Sequence, residues 1–364
     1  MNPKLIICVD GLGRDLISEE NTPFLYDFWK KNHLSELETL FAFTGIEYCF
    51  FSGKMPEETG IWLEFSKESN SIFDSFLIKA FGFSKLKDYI GAFLQIANGR
   101  NWISGLYHIP KNKLKYFDTS AKNGLWELEF FKSKKFALYK WPFFITENNK
   151  RLVMKYENDE ERLKRLLSEK GKEIYSVQLM KVDKTLHKFG KNNPEVKIAL
   201  LETDSLLKRY INKFLEDNPN GELFLWGDHS LADIKKYINL EKILPKRKDY
   251  LCFIEGTTAS FWFGKEEVKE EILNCINKEK AIKVLNNKDA KRFKIPLDDK
   301  YGNLIIYLEK GNYFFPNFYQ KSEKEKFLAM HGYPDDKELN GVIISNKKIP
   351  KKLKMNEVIT YLKC

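Results

Sequence analysis

MNPKLIICVDGLGRDLI, residues 1–17, decides how the rest of the chain is read. An apolar run, Leu5 to Val9, meets an acid, Asp10, and then two glycines, Gly11 and Gly13. A dinucleotide-binding turn needs a third glycine three residues after Gly13, where close helix packing lets the backbone approach a pyrophosphate. Leu16 stands there, so that fingerprint fails. What remains is a buried strand with Asp10 at its carboxyl end, the side on which open α/β sheets keep their binding crevice. A lone acid after a strand also serves as a helix cap, so Asp10 carries two readings by itself.

Two further stretches have the same grammar. IYSVQLMKVD ends at Asp183 and LFLWGD ends at Asp228, each with helix-like sequence beside it. Strands alternating with helices predict a mostly parallel sheet covered on its faces, and three acids at three carboxyl ends would converge on one crevice. At 364 residues the chain has room for one large α/β domain with insertions, or for a core plus a smaller unit.

Hydrophobic residues at 43% and aromatics at 15% exclude a disordered chain. No apolar stretch approaches the roughly 18 residues of a membrane span. Lysines produce a net charge of +10, but they are interleaved with acids, as in KYENDEERLKRLLSEKGKE, so a solvated surface accounts for them and no nucleic-acid-binding module is evident. The excess still favours approach of anions to a cleft. A strand beginning within four residues leaves no room for a secretory leader, which together with five scattered cysteines gives the expectation of a reduced, cytoplasmic protein.

Residues 66–172 are less regular. SIFDSFLIKAFGFSKLKDYIGAFLQIA and DEERLKRLLSEK space their apolar residues as helices do, and WPFFITENN between them is punctuated by Pro and Asn. The expectation is a single catalytic domain over 1–364 with an inserted, largely helical subdomain at 66–172. A second irregular region, about 251–327, carries short β-like runs such as ASFWF and NLIIYLE.

The chemistry-bearing residues lie around the three acids. DKTLHKFG places Asp183 and His187 four apart, on one face if the segment is helical. Taken alone this is an ordinary i,i+4 pair. GDHS sets Asp228 beside His229, a natural pair for one cation, and MHGYPDD puts His331 before a glycine turn. His33 and His108 have no such context. For a nucleophile, Thr44 precedes Gly45 where a turn into a helix offers a hydroxyl and backbone N–H groups to an anion; Ser52 and Cys49 compete, but both fall in or next to an apolar run.

In that order, CVDG, the Thr before SGKMPEETGIW, DKTLHKFG, GDHS and MHGYPDD resemble the alkaline phosphatase superfamily, and within it the type I phosphodiesterase/nucleotide pyrophosphatase branch. The resemblance implies a three-layer α/β/α core and two divalent metal ions, usually zinc, with Mn²⁺ also suited to the mixed N/O donors. It implies Asp10, Thr44, Asp228 and His229 on one metal, and Asp183, His187 and His331 on the other. It implies Thr44 as the catalytic nucleophile, forming a phosphothreonine, and a small phosphate ester as substrate. ETDSLLKRY has Lys208 where the histidine of a ligand pair would fall, so Asp204 is set aside.

Two departures bear on substrate. Thr59 replaces a histidine common in relatives, and Glu64 falls near an asparagine that relatives use to hold a phosphoryl oxygen. A carboxylate there repels phosphate unless protonated or turned away. Glu64, Trp62, Phe65 and Arg14 are the candidate substrate contacts. The expected activity is phosphodiester hydrolysis. Phosphomonoesterase, phosphonate hydrolase and phosphomutase are the alternatives on the same fold, and a non-catalytic anion-binding protein is the alternative of another class.

Overall fold

The computed structural model describes residues 2–41, 43–81, 84–153, 155–334 and 336–363. Its centre is a nine-stranded sheet. In chain order the strands are β1 (Lys4–Val9), β2 (His33–Glu38), β3 (Phe136–Lys140), β4 (Phe143–Thr146), β5 (Asn149–Leu152), β6 (Ile174–Leu179), β7 (Glu222–His229), β8 (Asn340–Ser345) and β9 (Lys352–Lys354). Across the sheet the order is β9-β2-β8-β7-β1-β6-β3-β4-β5. The inner four, β7, β1, β6 and β3, run parallel, whereas β8 and β4 run against their neighbours.

The alternation within β1 explains the layers. Ile6 and Cys8 pack on one face with Phe50, Trp226, Val358 and Leu362, while Leu5, Ile7 and Val9 pack on the other with Leu163, Leu186, Leu207 and Leu225. A strand buried on both faces reads as a continuous apolar run, as LIICV does. The second face is covered by α1 (Pro23–Lys31), α4 (Asp159–Ser168), α5 (Lys181–Phe189) and α6 (Pro194–Asp217); the first by α2 (Gly45–Ser52) and the helix Val358–Lys363. This is the expected three-layer arrangement.

Register brings the carboxyl ends together. Val9 pairs with Leu179 and Cys8 with Trp226, so Asp10 emerges level with the ends of both neighbouring strands. Gly11 then turns at φ +75°, and its N–H donates to Asp228 Oδ1 at 3.2 Å. A Cβ at Gly11 would come within 3.0 Å of the Asp183 backbone, so the turn requires glycine on both counts.

Residues 66–172 differ in part from the expectation. Helices are present at Phe76–Phe81, α3 (Ser84–Ala97) and α4, but β3, β4 and β5 cross the same segment and extend the main sheet. WPFFITENN is therefore a hairpin, since FFIT and NKRL pair antiparallel around the turn. The ASFWF and NLIIYLE runs belong to a four-stranded antiparallel sheet formed by Tyr250–Ile254, Thr258–Phe263, Leu304–Leu308 and Ile282–Val284. The helix Glu266–Ile276 covers that sheet through Val268, Ile272 and Ile276. Among the described residues no helix is long and apolar enough to cross a membrane.

Candidate active site

Asp10, just past β1, and Asp228 and His229, at the end of β7, meet in one group. His229 Nε2 lies 3.3 Å from Asp228 Oδ2 and 3.6 Å from Asp10 Oδ1. Asp183 is not a strand-end residue as the sequence suggested. The strand stops at Leu179 and Asp183 sits in the first turn of α5, because the Met180 and Lys181 N–H groups are taken by Asp159, which turns the chain into the helix. The four-residue spacing then acts as predicted: His187 Nε2 is 3.3 Å from Asp183 Oδ1. His187 Nδ1 faces the Ala329 carbonyl at 2.8 Å, which fixes the ring and turns Nε2 to the cluster.

His331 closes the group. Its ring stacks on His229 with centroids 3.7 Å apart and lies 5.3 Å from His187. Donor atoms of Asp183, His229 and His331 form a second close set, so His229 stands between the two groups. All six side chains are brought together.

The electrostatics are those of a site built for cations. Burial, then the neighbouring Asp228 and Asp183 carboxylates, push Asp10 well above the ordinary carboxylate range, and burial with Asp183 nearby also raises Asp228. Burial would raise Asp183 too, but the His187, His331 and His229 imidazoles outweigh it and hold this acid low. Burial, with the other two histidines beside it, drives His331 well below the usual imidazole value, leaving it neutral and able to ligate. The Nδ1 atoms of His229 and His331 are buried and have no hydrogen-bond partner.

Thr44 precedes α2 and its side chain caps nothing, which leaves the hydroxyl available. It lines a cavity of about 460 Å³ together with Asp10, Asp183, Asp228, His229 and His331. The competing nucleophiles are elsewhere. Ser52 closes α2 at its far end and accepts the Lys54 N–H, while Cys49 is fully buried with its thiol pushed up to about 12, chiefly by burial.

Of the four candidate substrate contacts, only Glu64 lines the cavity. Trp62 is fully buried and donates its indole N–H to the Phe41 carbonyl, and Phe65 is buried and packs on Phe253 in a separate apolar cluster. Arg14 lies over the Trp29 ring at 4.3 Å and donates to the Ile17 carbonyl at 3.2 Å, away from the crevice. Those three assignments are corrected.

Sequence reasoning missed a supporting chain. Gln178 Nε2 donates to Asp10 Oδ2 at 2.7 Å, Lys140 Nζ donates to Gln178 Oε1 at 2.7 Å, and Lys140 is ion-paired with Glu47. Gln178 carried a signal, a lone amide in the apolar run IYSVQLM; Lys140 did not, since β3 was not recognised. Glu47, which also lines the cavity, is thereby held in an ion pair.

The fold and this cluster together define an α/β protein whose Asp and His side chains could hold metal ions at the carboxyl end of its central sheet. The family model for type I phosphodiesterase/nucleotide pyrophosphatase matches residues 4–334, and the chain belongs to that family, which is metal-dependent. Human ectonucleotide pyrophosphatase/phosphodiesterase 5 is similar in structure, with a TM-score of 0.70 at 15% identity, over 100% of this chain and 94% of that one. An inactive threonine-to-alanine variant of the murine protein, in complex with AMP, matches with a TM-score of 0.70 at 14% identity and the same coverage. No curated protein matches the sequence.

Proposed function

We propose that this protein hydrolyses phosphodiesters by attack of Thr44 on phosphorus, with two divalent cations held by Asp10, Asp228 and His229 on one side and Asp183, His187 and His331 on the other. The observation that carries the reading is the uncapped Thr44 hydroxyl opening into the same cavity as the Asp/His cluster. That cluster fits cations: three buried carboxylates face three imidazoles, two of them with unpartnered ring nitrogens, an arrangement costly without compensating charge. The mixed N/O donors suit zinc and admit manganese. When bound, such ions supply charge that activates a hydroxyl or water and stabilises developing negative charge on oxygen.

The chain's own groups do the rest. Thr44 Oγ1 forms the bond to phosphorus as the ester oxygen leaves, and water then cleaves the phosphothreonine. The amino end of α2 favours the anionic phosphoryl group beside Thr44. Gln178 holds Asp10 in position, and Lys140 holds Gln178. The murine relative's inactive threonine-to-alanine variant, in complex with AMP, supports a threonine nucleophile.

A preference for diesters follows from the cations in the cavity wall, each of which is committed. Lys140 pairs with Glu47, Arg162 donates to the Glu157 and Gln178 carbonyls, and Lys184 bonds the Tyr156 hydroxyl. A monoester carries a further charge that none of them is placed to meet. With bis-p-nitrophenyl phosphate and p-nitrophenyl phosphate compared at one pH and metal concentration, kcat/KM is expected to favour the diester by roughly tenfold or more. A clear monoester preference overturns this reading.

The supporting chain has its own test. Gln178→Leu removes the donor to Asp10 at similar size, and metal affinity measured by chelator competition is expected to fall about 10- to 100-fold. Unchanged affinity would show that Gln178 does not position Asp10.

A further inference from the structure

Of the large apolar side chains left exposed among the described residues, seven of sixteen fall in the 21 positions from Phe76 to Ile96. Four of them, Leu86, Tyr89, Phe93 and Ile96, recur every three or four residues and so share one face of α3. Tyr89 is 76% exposed and Phe93 60%. The helix Phe76–Phe81, which packs against α3, adds Phe76, Leu77 and Phe81. Isolated apolar residues on a surface are ordinary, but neighbours gathered on one helix pair mark an interaction site.

The outward direction of this face is enforced from behind. Lys87 Nζ donates to the Ile109 carbonyl at 2.8 Å, and Asp88 Oδ1 accepts the Leu106 N–H at 2.9 Å. Gln95 donates to the Ser104 carbonyl at 2.8 Å and accepts the Ser104 N–H at 3.0 Å. A Cβ at Gly91 would come within 2.5 Å of Leu106 Cδ1, so the helix sits close on this segment. α3 therefore cannot roll Tyr89 and Phe93 inward without breaking these bonds. The segment it grips also walls the catalytic cavity, through Trp102, Ile103, Ser104 and Gly105.

Charge identifies what covers the face. Residues 66–122 carry nine Lys and Arg against four acids, half of the chain's net charge of +10 in 57 residues. All four acids are engaged: Glu68 with Lys122, Asp74 with Lys79, Asp118 with Arg100, and Asp88 on the Leu106 N–H. A second copy docked face to face would bring two such cationic surpluses together, which costs binding energy. Side chains that stand out this far form a ridge, whereas a partner helix is received in a groove. Projecting apolar side chains among lysines suit an anionic lipid surface, where the apolar groups sink to the acyl boundary and the ammonium groups stay at the headgroups.

We propose that α3 and the helix Phe76–Phe81 dock this protein on an anionic membrane surface, with Tyr89 and Phe93 inserted and the chain lying on the bilayer without spanning it. Docking in this way sets the wall of the catalytic cavity one helix, about 10 Å, from the lipid.

The test uses the full chain and vesicles of defined composition. In flotation with phosphatidylcholine vesicles containing roughly 30% phosphatidylglycerol, most of the protein is expected to float at low salt, with partitioning about tenfold weaker on phosphatidylcholine alone. Tyr89→Ser combined with Phe93→Ser leaves every charge in place and is expected to weaken partitioning on the anionic vesicles about tenfold or more. Both side chains are exposed, so circular dichroism and thermal unfolding of that variant are expected to match the unmodified chain. Phe93→Trp is expected to add a blue-shifted emission that brominated lipid quenches. Absence of flotation with anionic vesicles overturns the proposal, and so does equal partitioning of the double variant, which would leave net charge as the sole attraction. A dimer in sedimentation velocity that the double variant dissolves assigns the face to a second copy and overturns it too.

Discussion

Thr44→Ala is expected to lower kcat on the order of 10⁴-fold while bound metal stays close to its normal level. The two halves of that statement have separate causes. The hydroxyl is the proposed bond-forming atom, and no neighbouring group replaces it: Ser52 lies at the other end of α2 and the Cys49 thiol is buried and protonated. Metal retention follows because Asp10, Asp228 and His229 remain in place. The helix survives as well, since Thr44 makes no capping bond that alanine would remove. Single-turnover kinetics with metal analysis on the same sample checks both halves. If Ser52→Ala abolishes turnover and Thr44→Ala does not, the nucleophile has been misassigned.

His187→Ala is expected to remove about one of the two bound ions, and His229→Ala to disturb both. His187 touches Asp183 alone among the acids, with its other nitrogen fixed on the Ala329 carbonyl, so its loss opens one side of the cluster. His229 contacts Asp10 and Asp228 and stacks on His331, so its loss leaves two carboxylates facing each other and a neighbour unsupported. Elemental analysis of purified variants gives the stoichiometry directly, and turnover should fall by several orders of magnitude in each. Unchanged metal content in both His187→Ala and His331→Ala sinks the ligand assignment.

The two ends of this site differ in how far the sequence discloses them. Asp10, Asp228 and His229 could be read because apolar strands broken by an acid are a local signal, and the Asp183/His187 pair because its spacing is local too. The position of Asp183 one turn into a helix escaped, because the acid that starts that helix, Asp159, is 24 residues away in sequence. Trp62 and Phe65 offer aromatic surface near Glu64 in the sequence, and Arg14 a cation just after Asp10, but residue type and sequence position do not decide where these side chains point. Which way a side chain points at a strand entrance depends on the partner surface, and here the Phe41 carbonyl, Phe253 and Trp29 claimed them.

The route by which His331 arrives has a consequence for how the protein holds together. It follows a two-residue strand, Ala329–Met330, that pairs with Ala232–Asp233 and not with the nine-stranded sheet, and the loop after it is tied through Thr257 to the four-stranded sheet. Asp10 follows directly on the first strand of the chain. A cation cluster shared between Asp10 and His331 would therefore act as a clasp, closing a long loop of chain whose entropy must otherwise be held in check by packing alone. Stripping the metal should then do more than stop catalysis: amide exchange is expected to quicken first across Ala329–Met330 and the turn at Thr257, while β1 and β7 stay protected.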